Sequence, residues 1–306
     1  MLNRFADLHC DTLWRCFEEH RSLLHPSLQV RPEHHFSLLQ NYAIYIPDSI
    51  GDSLGYFRAI YDYGRRLFDE MGRYRFCKNA REVELAIEEG ARPCLISIEG
   101  GSLFSGDREK DLPLILELKD KGIAFLSLCY NAGNALAGGI LCPHRGLSEK
   151  GERAAALIRE FGITLDISHM NHRSADRALA LLPCGIAATH SNCFSLTPHP
   201  RNLTDDQIAA LSEKKGLIGL NFYPFFLRGE EAGSDDVLIH LSHMESLGAQ
   251  RSIAFGGDFD GIEKTPFDLR STEDLPALYG KLKRADKNAD DYCFNNVINY
   301  LKLHFK

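Results

Sequence analysis

The feature that most constrains the fold is the alternation of short apolar runs with helix-periodic segments along the 306 residues. The runs have the length and composition of buried strands. There are eight of them, at residues 4–9, 42–46, 93–99, 124–130, 164–169, 186–190, 217–222 and 253–258. Strands joined through helices must pair in parallel, so eight such units predict an α/β fold of the closed (β/α)8, or TIM-type, barrel class. An open doubly wound sheet is the alternative, but no glycine-rich dinucleotide-binding loop follows the first run.

The segments between the runs have the apolar spacing of amphipathic helices. This spacing predicts helices at 148–161, 174–182, 205–214 and 234–247. The stretch 47–92 is long for one crossover, so we expect it to hold two helices, at 53–71 and 80–89. No repeat, linker or low-complexity segment marks a domain boundary. We therefore expect one barrel domain over residues 1–306.

Composition excludes several classes of function. The net charge is -7, the pI is about 6.0 and no strongly basic run is present, so a nucleic-acid partner is not expected. No apolar run approaches the roughly 18 residues of a membrane span. The nine cysteines are odd in number and lack paired spacing, which favours free thiols in a reducing cytoplasm.

Five of the eight runs end in an acidic residue or a histidine. In a (β/α)8 barrel the carboxyl ends of the strands meet on one rim, where active sites form. We therefore expect these side chains to lie close together. They are His9 and Asp11 after the first run, Glu99 after the third, His169 after the fifth, His190 after the sixth and Asp258 after the eighth.

This set of residue types is suited to metal binding. His9 and Asp11 are two residues apart, so on a strand they share a face, and imidazole with carboxylate suits Zn²⁺. Glu99 needs a cation or an arginine partner if its charge is buried. Taken singly, each residue is more often structural. Together, three imidazoles and two carboxylates with one shared carboxylate give two metals three contacts each, as in two-metal hydrolases. Asp258 then remains as the carboxylate that moves protons.

The order of motifs along the chain is more specific than any one of them. They are Asp7-Leu8-His9-Cys10-Asp11-Thr12, Ile98-Glu99-Gly100-Gly101, Gly146-Leu147-Ser148, Leu165-Asp166-Ile167-Ser168-His169, Thr189-His190-Ser191-Asn192, Arg201-Asn202-Leu203-Thr204-Asp205 and Gly257-Asp258-Phe259-Asp260-Gly261. In this order the chain resembles the renal (membrane) dipeptidase family of zinc metallopeptidases, in the amidohydrolase-like superfamily. The resemblance is collinear and covers most of the chain.

The resemblance implies a binuclear zinc dipeptidase with two Zn²⁺ per chain. It implies hydrolysis of small dipeptides through a metal-bridging hydroxide, with a D-residue accepted at the C-terminal side. His9 and Asp11 would bind one zinc, and His169 and His190 the other. Glu99 would bridge the two ions.

The resemblance also implies roles for residues that do not bind metal. Asp258 would take a proton from the bridging water and pass it to the leaving amine. Arg201 would hold the free carboxylate of the substrate, a task suited to a bidentate guanidinium. Tyr130 stands where the family has a histidine that stabilises the oxyanion. A phenol can donate a hydrogen bond there, but it carries no positive charge near neutral pH.

Two other functions stay open at this point. One is an amidohydrolase that acts on another small amide or a lactam with the same metal site, an alternative that Tyr130 keeps open. The other is a non-catalytic metal-binding barrel. Mn²⁺ or Co²⁺ could occupy a similar set of ligands. The resemblance also allows a homodimer, although the sequence identifies no interface.

Overall fold

The computed structural model describes residues 4–31 and 36–306. Within them lie nine parallel strands: β1 (Arg4–Cys10), β2 (Ser37–Tyr45), β3 (Tyr74–Phe76), β4 (Arg92–Glu99), β5 (Ile123–Ser127), β6 (Thr164–Asp166), β7 (Ile186–Ala188), β8 (Leu217–Leu220) and β9 (Ile253–Phe255). The helices are α1 (Thr12–Glu18), α2 (Ser53–Glu70), α3 (Ala80–Glu88), α4 (Arg108–Asp120), α5 (Glu149–Glu160), α6 (His172–Leu181), α7 (Asp205–Glu213), α8 (Pro224–Leu227), α9 (Ser234–Ser246), α10 (Leu275–Arg284) and α11 (Asn296–His304). A short 3₁₀ helix spans Thr272–Asp274, and a π-helix spans Asp291–Asn295.

Eight of the strands close into a barrel. Strand β1 lies between β2 and β9, and the order then runs β9-β8-β7-β6-β5-β4. Closure comes from β2 and β4, which pair from Gln40 with Cys94 to Tyr45 with Glu99. Strand β3 pairs with the start of β4, outside the ring. The predicted (β/α)8 barrel is confirmed.

The boundaries differ from prediction at the carboxyl ends of several strands and at the start of β2, which begins at Ser37, ahead of the predicted residue 42. Strand β6 ends at Asp166 and β7 at Ala188, so His169 and His190 lie in the loops that follow. The Asp166 carboxylate turns the chain out of β6 by accepting a hydrogen bond from the Ser168 amide at 3.1 Å. The stretch 47–92 contains the two expected helices and, in addition, the short strand β3.

The helices form where capping and apolar spacing agree. Helix α5 is typical: the Ser148 hydroxyl accepts from the Gly151 amide at 3.1 Å and so caps the first turn. Its buried face, which includes Ala155 and Ile158, packs on the barrel side near β6. Burying such a face accounts for most of the stability of a helix in a protein.

The end of the chain closes one end of the barrel. Phe294, Val297 and Tyr300 lie in the same buried cluster as residues from the barrel strands. The Tyr300 hydroxyl also lies 2.9 Å from Oγ1 of Thr164, the first residue of β6. This packing covers the amino-terminal ends of the strands and leaves the opposite rim for a site. Among the helices of the described ranges, none combines the length and the apolar character that spanning a bilayer requires.

Candidate metal centre at the barrel rim

The predicted ligands meet around one oxygen atom. Oε1 of Glu99 lies 2.7 Å from Nε2 of His169, 3.5 Å from Nε2 of His190 and 3.7 Å from Nε2 of His9. All four residues are buried. Three imidazole nitrogens aimed at one carboxylate oxygen form the centre of the cluster.

A second set of carboxylates lies on the other side of His9. Its Nε2 atom is 3.5 Å from Oδ2 of Asp11 and 3.8 Å from Oδ1 of Asp258. Two groups therefore have ligand atoms within 4.8 Å of one another: His9 with Glu99 and His190, and His9 with Asp11 and Asp258. The predicted proton carrier, Asp258, thus lies within ligand distance as well.

Asp11 reaches the centre by a route that strand alternation does not describe. Its backbone, at φ -96° and ψ 10°, has already left the strand and leads into helix α1. Two backbone hydrogen bonds fix the turn: the Asp11 amide donates to the Phe259 carbonyl at 2.9 Å, and the Asp258 amide to the His9 carbonyl at 3.0 Å. The expected convergence of His9 and Asp11 is present, but a turn produces it.

The loop after β9 holds a strained conformation that places Asp258. Both Asp258 (φ 60°) and Asp260 (φ 66°) adopt left-handed backbone, which costs free energy in residues with a side chain. Gly261 allows the close approach, since a Cβ there would lie 2.0 Å from Oδ2 of Asp11. Strain of this kind persists where the surrounding structure requires one geometry.

Asp260 orients the loop after β9. Its carboxylate accepts from the Thr12 hydroxyl at 2.5 Å, from the Gln29 amide at 2.7 Å and from the Val30 amide at 3.3 Å. These hydrogen bonds connect the loop to residues near the start of the chain, and they direct the Asp260 carboxylate away from the imidazoles.

The donor atoms fit a divalent cation. His9 Nε2 is buried and has no hydrogen-bond partner among the residues that the structure describes. His169 Nδ1 lies 2.9 Å from the acceptor Oδ1 of Asn131, which places the ring proton on Nδ1 and leaves the Nε2 lone pair facing Glu99. The Nε2 atoms of His169 and His190 are only 2.9 Å apart. A cation between such lone pairs would satisfy them together.

The electrostatics of the cluster favour a cation too. Burial opposes a charge on His9, but Glu99, Asp11 and Asp258 outweigh it and raise the pKa of His9 to about 10. Burial raises the pKa of Glu99 to about 7 and raises those of Asp11 and Asp258 above their ordinary value. Carboxylates placed this close in a buried site repel one another, and a bound cation relieves the repulsion.

Arg201 is a buried cation that pairs with no acidic residue in the described part of the chain. Only 4% of the residue is exposed, and Nη2 lies 3.2 Å from His169 Nε2 and 3.3 Å from the His190 carbonyl, with Nη1 3.4 Å from Ser191 Oγ. Across residues 4–31 and 36–306, no carboxylate lies within 4.0 Å of its guanidinium. A buried charge of this kind attracts an anion.

The sequence model of the family described as membrane dipeptidase, peptidase family M19, matches residues 4–299. The chain belongs to this family. The match includes every residue of the cluster, from His9 to Asp258.

Relatives among curated proteins agree with this membership. An uncharacterised dipeptidase of Schizosaccharomyces pombe is 29% identical over 184 residues, which is 57% of this chain and 44% of the relative. A second dipeptidase of that yeast is 31% identical over 61% of this chain and 46% of its own length. The chain therefore spans less than half the length of these two relatives. An uncharacterised protein of Klebsiella pneumoniae is 29% identical over 76% of this chain and 89% of its own.

Solved structures share the fold. A metallopeptidase described as dipeptidase AC of family M19 superposes with a TM-score of 0.89 at 24% identity, covering 100% of this chain and 99% of that one. A metallopeptidase from Rhodobacter sphaeroides, solved with a phosphinate mimic of the dipeptide L-Ala-D-Ala, gives 0.88 at 24% identity, with 99% and 100% covered.

Tyr130 is where this member of the membrane dipeptidase family departs from the expected histidine. Its ring stacks on His169, with centroids 4.4 Å apart, and packs against Tyr45 at 4.6 Å. Burial raises the pKa of Tyr130 well above its ordinary value. The phenol is therefore neutral, and it forms part of an aromatic wall beside the predicted metal ligands.

Several uncharged residues support the centre without having been predicted as site residues. Asn221 donates from Nδ2 to Oδ2 of Asp258 at 2.9 Å, Asn131 contacts His169, and Thr189 lies 2.8 Å from Nδ1 of His190. Their signal in the sequence is a position at or near the carboxyl end of a predicted strand and, for Thr189, a place in the motif that contains His190.

Metal binding should stabilise this protein more strongly as pH rises. Because the native pKa of Glu99 (about 7) exceeds 4.5 and that of His9 (about 10) exceeds 6.5, the native metal-free state holds these protons more tightly than the unfolded chain. Stability from this source is therefore lost as pH rises from about 4.5 through 10. A cation binds the deprotonated ligands, so its stabilisation increases over the same range.

The measurement is thermal unfolding with and without Zn²⁺ at about pH 5.5 and about pH 8, and we expect the larger rise in Tm at the higher pH. Glu99→Gln serves as the control, because it removes one of the titrating groups and should flatten the difference. An equal zinc-induced rise at both pH values would contradict the prediction.

Proposed function

We propose that this chain is a binuclear zinc dipeptidase that hydrolyses the peptide bond of small dipeptides. The observation that carries the proposal is the convergence of three imidazole Nε2 atoms on one oxygen of Glu99 at 2.7–3.7 Å. This donor set has the composition that zinc hydrolases use.

The ligands divide into two groups that share Glu99. His9 and Asp11 would hold one zinc, and His169 and His190 the other, with the Glu99 carboxylate between them. Two bound zinc ions would supply Lewis acidity, lowering the pKa of a shared water and polarising the scissile carbonyl. The protein supplies the fixed positions of these five side chains.

Arg201 supports a substrate with a free carboxylate. Its guanidinium is buried, has no acidic partner among the described residues and lies beside the ligand His169. A dipeptide presents a carboxylate one residue beyond the scissile bond, so Arg201 would anchor that end. The phosphinate dipeptide mimic bound by the Rhodobacter relative is consistent with this substrate class, including a D-residue at the C-terminal side.

Asp258 would carry the proton. Oδ1 faces His9 at 3.8 Å, while Oδ2 is held by the Asn221 amide at 2.9 Å. One oxygen is thus fixed and the other is directed at the centre, where it can accept a proton from water and deliver it to the leaving amine.

Tyr130 favours a second candidate, an amidohydrolase acting on another small amide or a lactam. A neutral phenol can donate a hydrogen bond to a developing oxyanion but adds no positive charge. We therefore expect the substrate range of this chain to differ from that of members with a histidine at this position.

Metal content tests the proposal first. We expect about two zinc ions per chain in the purified parent and a clear loss in His190→Ala, because that change removes one ligand of a three-contact site. The measurement is mass spectrometry of the metal, with His243→Ala as a matched control. His243 pairs with Asp205 at 2.9 Å, on helices α9 and α7.

A substrate panel then separates the candidates. Zinc-loaded protein is assayed with L,L- and L,D-dipeptides, N-acyl amino acids and lactams. Hydrolysis of dipeptides supports the dipeptidase, and hydrolysis of the other amides alone supports the second candidate. Bound zinc without any turnover would indicate a non-catalytic barrel, and failure to take up zinc would reject the metal centre.

A further inference from the structure

A buried chain of hydrogen bonds runs from Asp166 to His190. The Asp166 carboxylate accepts at Oδ2 from the Thr189 hydroxyl at 2.5 Å. Its other oxygen, Oδ1, accepts from the Ser168 hydroxyl at 2.6 Å and from the Thr189 amide at 3.0 Å. Thr189 Oγ1 in turn lies 2.8 Å from Nδ1 of His190. All four side chains are buried.

The donor in each of these hydrogen bonds can be assigned by elimination. A carboxylate that accepts from several donors has no proton to give, so the single hydroxyl proton of Thr189 is used toward Asp166. The Ser168 hydroxyl also lies 3.3 Å from Thr189 Oγ1, but its proton is used toward Asp166 at 2.6 Å. The Thr189 oxygen is therefore an acceptor toward His190, and His190 Nδ1 must carry the ring proton. Nε2 of His190 is left with its lone pair, which faces Glu99 at 3.5 Å.

We propose that Thr189, oriented by Asp166, is a positioning residue that fixes the tautomer and the ring orientation of His190 for metal binding. The inference rests on the proposed metal centre and adds to it two residues outside the proposed set of ligands. Partners that hydrogen-bond the distal nitrogen of a metal-binding histidine set its tautomer and contribute to metal affinity.

Two substitutions disturb this series of hydrogen bonds in different ways. Thr189→Val keeps the shape of the side chain but removes the hydroxyl, leaving the His190 proton without an acceptor. Asp166→Asn reverses the direction of the hydrogen bond between residue 166 and the Thr189 hydroxyl. The Ser168 amide, the Ser168 hydroxyl and the Thr189 amide all donate to the Oδ1 position and hold the amide oxygen there, so the amide NH₂ faces Thr189. The hydroxyl then donates to His190 Nδ1 and moves the ring proton to Nε2, where it blocks the metal. Thr189→Ser keeps the hydroxyl and is the matched control.

The first readout is the ring tautomer of His190 in the metal-free protein, from ¹⁵N NMR. We expect the proton on Nδ1 in the parent and in Thr189→Ser, and on Nε2 in Asp166→Asn. The second is the zinc dissociation constant from chelator competition. We expect it to rise about 10–100-fold for one of the two ions in Thr189→Val and Asp166→Asn, with Thr189→Ser close to the parent.

Each outcome decides the inference. A parent that carries the His190 proton on Nε2 overturns it, as does parent-like zinc affinity in both Thr189→Val and Asp166→Asn. If the parent takes up no zinc, the proposed function fails while the tautomer still tests the role of Thr189. If Thr189→Val does not fold, the parent tautomer and the comparison of Asp166→Asn with Thr189→Ser remain decisive.

Discussion

Replacing Asp258 with asparagine should lower kcat for dipeptide hydrolysis by about 10²–10⁴-fold, the usual contribution of general acid–base catalysis. The amide has nearly the same shape and tolerates the left-handed backbone at φ 60°, so the loop is expected to keep its geometry. It cannot accept and return a proton near neutral pH. The measurement is steady-state kinetics with zinc-loaded protein, together with zinc content.

Asp260→Asn provides the control, because Asp260 has the same kind of backbone (φ 66°) two residues away and its carboxylate binds Thr12 instead of facing the imidazoles. We expect Asp260→Asn to lower the free energy of unfolding while changing kcat little. Equal losses of kcat in both variants would show that loop geometry, not proton transfer, explains the result. Loss of zinc in Asp258→Asn would instead assign Asp258 as a ligand, which its 3.8 Å distance to His9 permits.

The barrel was predictable because strand and helix periodicity repeat along most of the chain. The periodicity placed the end of β4 at Glu99, but it extended five other strands, β5 to β9, two or three residues too far. A side-chain hydrogen bond can end a strand although an apolar residue follows. In β6 the Asp166 carboxylate accepts from the Ser168 amide, and the strand ends before Ile167. Strand β3 was missed because three residues, Tyr74–Phe76, are too few to show a period and pair with only the first part of β4.

The charged members of the site were predictable for a different reason. A carboxylate such as Glu99 at the end of an apolar strand is buried, and burying an unpaired charge is energetically unfavourable. Its residue type and its position together therefore indicate function. Thr189 and Asn221 carry no such signal, because hydroxyls and amides are common at strand ends and their burial is readily satisfied. Only the folded arrangement shows that they contact His190 and Asp258.

Arg201 gives the second large expected effect. Arg201→Met should reduce kcat/KM for a dipeptide by about 10²–10³-fold, or about 3–4 kcal/mol, which lies within the roughly 2–5 kcal/mol measured when one partner of a buried charge pair is removed. The kcat/KM of Arg201→Lys should lie between those of the parent and Arg201→Met, since an ammonium keeps the charge but cannot form the bidentate contact with a carboxylate. The measurement is kcat/KM for each variant on a matched pair of substrates, a dipeptide and its C-terminal amide.

The matched pair separates substrate binding from support of the metal centre. If Arg201 holds the substrate carboxylate, the parent prefers the acid, and Arg201→Met loses that preference while its activity on the amide changes little. If Arg201 acts mainly through its 3.2 Å contact with His169, acid and amide lose activity together and zinc content falls. The second pattern would remove the main structural argument for a substrate with a free carboxylate and would favour the wider class of small amides that Tyr130 leaves open.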